Sequence, residues 1–146
     1  KQNYSKAPFF QDVFPILEDI LNNEQRDLSK FLGSSLVKLS KYFNIDTKFV
    51  YSSDIKNNKA LNAQDRLIEM SKNLNATDYI NSIGGVKLYD KEFFSQNEIH
   101  LSFLKSNKIF YKQFKNEFIP NLSIIDVLMF NSIDKIKKML DQYELI

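Results

Sequence analysis

The chain has 146 residues, with 20 Lys+Arg against 18 Asp+Glu, one His, no Cys and no Trp. That length predicts a single domain spanning 1–146, and 43% hydrophobic with 26% charged residues excludes wholesale disorder. A net charge of +2, with Arg26 and Arg66 the only arginines, argues against a phosphate-binding surface, so nucleic acid is not an expected partner. The absence of Cys excludes disulfides, thiol nucleophiles and cysteine–zinc sites, and His100 alone cannot build a His-rich metal site, so neither metal nor other cofactor is expected. No run reaches the roughly 18–20 apolar residues of a membrane span. The chain opens on Lys1-Gln2-Asn3 with neither Met nor an apolar leader segment, which reads as a trimmed start.

The first apolar stretch runs from Pro8 to Leu21. Pro8 suits a first helical position, and Pro15 predicts a kink or two short helices meeting there. Leu28, Phe31, Leu32, Leu36, Leu39 and Phe43 follow helical spacing and predict one buried stripe, capped by Asp27 at its start and ended by Asn44. Thr47–Tyr51 is β-branched and aromatic and reads as a strand running into Ser52-Ser53-Asp54. Asn62 with Asp65 resembles a capping box with a shortened acid, opening a helix to about Asn73 whose inner face is Leu67, Ile68, Ser71 and Leu74. Asp78–Asn81 is a second strand, and Asp90 caps a short helix carrying Phe93 and Phe94. Ile99, Leu101 and Phe103 alternate with polar residues as a third, half-buried strand; Phe110, Tyr111 and Phe114 lie in an extended segment. Helices start at Ser123 and Ser132. Strands separated by helical patterns predict an α/β fold: a small, mostly parallel sheet of three to four strands flanked by helices. It is helix-rich at both ends, and two helices before any strand suggest an incomplete domain.

Few residues offer chemistry. Ser82-Ile83-Gly84-Gly85 follows a strand, where glycines let backbone N–H groups approach an anion, but two adjacent glycines equally suit a turn with positive φ. Arg66 is a rare arginine among lysines, suited to a bidentate grip on carboxylate or phosphate; the alternative is a surface charge pairing with Glu69 or Asn62. Ser123-Ile124-Ile125-Asp126 has no histidine to complete a triad and reads as a helix cap, Ser123 accepting from the Asp126 amide. His100 is out of phase with the apolar positions of its strand and faces solvent. Tyr111 and Gln113 share one face of an extended segment and carry polar ends that can meet a substrate.

The ordered set Arg66-Leu67-Ile68-Glu69, Asp78 through Phe94, Tyr111-Lys112-Gln113-Phe114 and Phe118 through Asn131 resembles the WbqC-like family of bacterial proteins. Lys6–Phe10 and Ser52-Ser53-Asp54 follow that pattern more loosely. The family normally begins with a strand bearing His-Gln-Pro-x-Tyr-Leu-Pro and then an Asn-Arg segment; this sequence has neither and resembles the latter part of the domain. The resemblance implies a cytoplasmic protein of surface-polysaccharide (O-antigen) biosynthesis that transfers a sugar, acyl or aminoacyl group, or a non-catalytic binding or assembly domain beside such enzymes. Its partner would be a small activated sugar or acyl donor, with a homo-oligomer or pathway enzymes left open. The family pattern falls on Arg66, Ser82, Gly84, Gly85, Tyr89, Tyr111, Gln113, Ser123 and Asp126. By that resemblance Arg66 grips an anionic group, the Gly84-Gly85 amides approach phosphate or carbonyl oxygen, and Tyr89 and Gln113 orient a hydroxyl-rich substrate. Ser123 and Asp126 are kept as caps. The family's N-terminal His, its best acid–base group, lies outside this sequence, which implies that the chain alone is catalytically silent.

Overall fold

A computed structural model describes residues 2–115 and 117–146 and divides the chain into two units, Lys1–Phe49 with Lys108–Gln142, and Val50–Asn107 with Tyr143–Ile146. The first unit is helical: α1 (Phe10–Leu21), α2 (Leu28–Tyr42), α5 (Ile124–Phe130) and α6 (Ile133–Leu140). Ala7, Phe10, Val13, Phe43, Leu128, Met129 and Ile136 form its core. Pro15 neither ends nor divides α1. The carbonyl it leaves without a helical donor belongs to Gln11, an exposed residue where water can serve. Pro8 precedes the cap residue Phe9 instead of opening the helix.

In α2, Asp27 accepts from the Lys30 N–H at 2.9 Å, and Asn44 turns left-handed at φ 56°, as the sequence predicts. The single buried stripe does not form. Leu39 and Phe43 reach the core, but Leu28, Leu32 and Leu36 stay 70%, 50% and 53% exposed. The reason is a polar tether to α1: Asn23 Nδ2 donates to Ser34 Oγ at 2.9 Å, and Lys38 pairs with Asp19. Ser34 and Lys38 lie roughly 140° round the helix from the leucines, so anchoring them turns the leucines outward. Ser132 caps α6, accepting from the Lys135 N–H, and seats Ile136 and Met139 inward.

The second unit holds α3 (Ala63–Asn73), β1 (Asp78–Ser82), a 3₁₀ helix at Ile83–Lys87, α4 (Lys91–Gln96), β2 (His100–Ser106) and β3 (Tyr143–Leu145). The sheet is mixed rather than mostly parallel. β1 pairs with β2 in parallel from Asp78↔His100 to Ser82↔Leu104, and β3 returns antiparallel on the other edge of β2, Leu104↔Leu145 to Ser106↔Tyr143. Thr47–Tyr51 and Phe110–Phe114 form no strand; 47–51 is exposed throughout and finds no partner, without which β-propensity has nothing to act on. The parallel connection is made by the 3₁₀ helix and α4, which pack over β2 around Ile68, Phe94, Ile99, Leu101 and Phe103. The shortened capping box at Asn62–Asp65 forms, and Asp90 accepts from Glu92 and Phe93 N–H groups. Of the inner face expected for α3, Leu67, Ile68 and Ser71 face the core, whereas Leu74 is exposed.

Neither Gly84 nor Gly85 has a positive φ, so the turn explanation for the glycine pair is corrected: both sit in the right-handed 3₁₀ helix. Space beside Gly85 is tight. A Cβ there would come within 3.2 Å of Asn81 Cγ and Tyr89 Cδ2, whereas at Gly84 the nearest atom is 3.9 Å away. Gly85→Ala should therefore cost about 1–2 kcal/mol by crowding. Gly84→Ala should be neutral or add a few tenths through the unfolded chain. Urea unfolding of the two variants checks this; equal midpoints would contradict it.

Candidate functional site

The densest polar cluster is built around a carboxylate that helix α5 carries inward. Ser123 caps the helix, its Oγ accepting from the Ile125 N–H at 3.3 Å. The Asp126 N–H goes instead to the Ser123 carbonyl, which corrects the expected cap pairing. Asp126 is no cap: it lies in the first turn of the helix, 4% exposed, among Ile125, Val127, Leu128 and Met129.

Three side chains donate to it. Tyr111 O–H reaches Oδ1 at 2.6 Å, Gln113 Nε2 reaches the same oxygen at 2.9 Å, and Tyr4 O–H reaches Oδ2 at 3.0 Å. A carboxylate offers about four acceptor sites, so three are filled, and no cation is among the donors. Burial, reinforced by the hydrogen bond to Asp126, pushes the Tyr111 phenol up to about 12; burial and the same carboxylate raise Tyr4. Both phenols are thus proton donors at neutral pH rather than bases. Gln113 is also engaged at both ends: its Nε2 donates to the Ile119 carbonyl at 3.0 Å and its Oε1 accepts the Ile119 N–H at 2.9 Å. The cluster ties the N-terminal segment, the 111–119 loop and α5 to one buried charge.

Sequence reasoning singled out Tyr111 and Gln113 but missed Tyr4, and it misread Asp126. The available signal was an acid inside an apolar helical run; Tyr4, 122 residues away, left none.

The other expected residues lie in the second unit. Gly85 is buried beside Tyr89, whose ring meets Phe94 edge-on at 6.3 Å, so Tyr89 serves the core with its ring. Ser82 ends β1 with its N–H on Asn81 Oδ1 at 2.7 Å, and Gly84 is exposed. Arg66 is half-buried on α3, roughly 200° round the helix from Gln64, whose Oε1 accepts the Asp90 N–H at 2.8 Å. Neither alternative pairing for Arg66 forms: Glu69 accepts the Asn58 N–H at 2.6 Å and Asn62 bonds Asp65. Among the described residues the Arg66 guanidinium makes no ion pair and no hydrogen bond. His100 is exposed, with Nδ1 3.4 Å from Asp78 Oδ1.

An open groove of about 500 Å³ runs between α1 and α2, lined by Pro15, Ile16, Asp19, Lys38, Lys41 and Tyr42. None of the residues expected from the sequence lines it. Among the described residues, no helix is long and apolar enough to cross a membrane.

The model for the WbqC-like protein family matches residues 1–138, so the chain belongs to that family, as the ordered motifs suggested. No curated protein and no solved structure matches the chain.

Proposed function

Starting from that membership, we propose that the chain is the substrate-binding portion of a transferase in bacterial surface-polysaccharide biosynthesis, moving a sugar, acyl or aminoacyl group from an activated donor. The observation that supports this reading is Arg66. Arg66 is half-buried, and its guanidinium has no partner among the described residues, which leaves its hydrogen-bonding fork for an external anion. Activated sugars on a nucleotide present a diphosphate, and acyl donors carried on a phosphate or a nucleotide present phosphate too, each fitted to that fork.

The test is thermal unfolding with nucleotide sugars and acyl donors. A true donor at about 100 times its Kd should stabilise the protein by about 2.7 kcal/mol. Arg66→Lys, which keeps the charge and loses the fork, should weaken that donor at least tenfold. No stabilisation by any donor, or one that Arg66→Ala leaves intact, would sink the reading.

A second reading, a non-catalytic assembly domain of the same pathway, is favoured by the engagement of Tyr111 and Gln113 with Asp126 rather than with solvent. Co-purification with a glycosyltransferase that survives Arg66→Ala would select it.

A further inference from the structure

In the loop between Lys108 and Leu122, two polar side chains turn inward while four apolar ones stay exposed. Tyr111 and Gln113 point at Asp126, while Phe110 stands 70% and Ile119 55% exposed, with Phe114 and Leu122 exposed beside them in sequence. These rings are not loose. Phe110 and Tyr111 meet Phe118 at 5.3 and 5.2 Å, Phe114 meets Phe130 at 4.7 Å, and Gln113 clamps both backbone groups of Ile119. Lys108, Lys112 and Lys115, all exposed, alternate with the aromatic residues, against one acid, Glu117.

We propose that this loop docks the protein on an anionic bilayer surface, Phe110 and Ile119 entering the interface while the three lysines lie against lipid phosphates. Fixed aromatic and aliphatic groups flanked by lysine match the apolar–anionic boundary of a bilayer in both chemistries. A nucleic acid would satisfy the rings and lysines but offers Ile119 and Leu122 nothing to stack on. The contact is peripheral, and it is independent of the donor site at Arg66.

The chain has no Trp, so Phe110→Trp reports on that position alone. With vesicles of phosphatidylcholine and phosphatidylglycerol its emission should shift to the blue and be quenched by brominated acyl chains; with phosphatidylcholine alone it should not move. In co-sedimentation, each lysine near an anionic surface is worth about fivefold in affinity, so replacing Lys108, Lys112 and Lys115 together by Gln should cost about a hundredfold. Ile119→Ser should cost about fivefold or more. Replacing Lys30 and Lys41 on α2 by Gln should change nothing. Circular dichroism of each variant confirms folding, and the Phe110→Trp emission stands on its own if Ile119→Ser does not fold. The proposal is overturned by unmoved emission, by equal binding to both vesicle types, or by an equal loss in the α2 double variant. Pelleting without vesicles, or lysine-dependent capture of a single-stranded oligonucleotide in place of vesicles, would overturn it too. None of these readouts involves a donor, so their failure leaves the Arg66 reading standing, and the reverse holds.

Discussion

Asp126→Ala is expected to lower the unfolding free energy by about 3–4 kcal/mol, a fall in Tm of roughly 6–15 °C for a chain of this length. The substitution removes the shared acceptor of Tyr4, Tyr111 and Gln113 at once. Gln113 keeps the Ile119 carbonyl, and both tyrosines are only half-buried, so the loss falls short of three fully stranded donors. Asp126→Asn keeps the volume and one acceptor oxygen and should cost about 1–2 kcal/mol. The pair has a second readout at high pH. Because the folded-state Tyr111 pKa is raised from 10 to about 12, the native state holds that proton more tightly than the unfolded chain does. Its contribution to stability is complete below pH 10 and disappears as pH rises through about 12. Asp126→Asn removes the charge of Asp126 and weakens its hydrogen bond but leaves burial, the largest cause, so Tyr111 should titrate earlier than in the parent. Phenolate absorbance against pH, with Tyr111→Phe to identify the late group, checks this. An unchanged titration curve in Asp126→Asn would mean that the carboxylate does not control the phenol.

The features legible in the sequence are those decided within a few residues. Asp27, Asn62, Asp90, Ser123 and Ser132 cap the helices they were expected to cap, because a cap needs only a side-chain oxygen and an N–H two or three positions away. Strands β1 and β2 lie where the sequence placed them, but β2 is not half-buried as alternation predicts: Ser102 is buried between Leu101 and Phe103. What failed depended on distant partners. Three exposed residues at Tyr143–Leu145 carry no strand signal, and only the edge of β2 makes them a strand, which is also why the sheet is mixed. The Leu28, Leu32, Leu36 stripe satisfies helical spacing perfectly well, yet spacing cannot say that Ser34 and Lys38 are the residues tied to α1. The candidate site repeats the lesson. An arginine on a helix is readable, whereas whether it finds a partner is settled by geometry that spacing alone does not give, as with Glu69, which bonds the distant Asn58 N–H. Asp126 looked like a cap because it follows a cap residue by three; its donors Tyr4, Tyr111 and Gln113 all lie outside its helix, Tyr4 far back along the chain.

The same contrast between local and distant determinants sets the second large effect. Phe94 is 0% exposed and stands at the centre of the β-sheet unit's core, its ring stacked on Tyr79 at 5.5 Å and met edge-on by Tyr89 at 6.3 Å. Its place in the sequence is an ordinary position in a six-residue helix, too short to stand by its own hydrogen bonds. Packing therefore holds α4 over β2, and Phe94 supplies the middle of that packing. Phe94→Ala should cost about 3–5 kcal/mol, from lost transfer energy, the cavity left behind and two aromatic contacts. Phe94→Leu, which refills most of the volume, should cost less than about 2 kcal/mol. Hydrogen exchange should show the loss at the parallel β1–β2 pairing, Asp78–Ser82 against His100–Leu104, because those strands bury Leu101, Phe103 and Tyr79 against the same ring. A Phe94→Ala protein that unfolds within 1 kcal/mol of the parent would show that α4 is held by its Asp90 cap and not by its ring, and the second core would have to be redrawn without it.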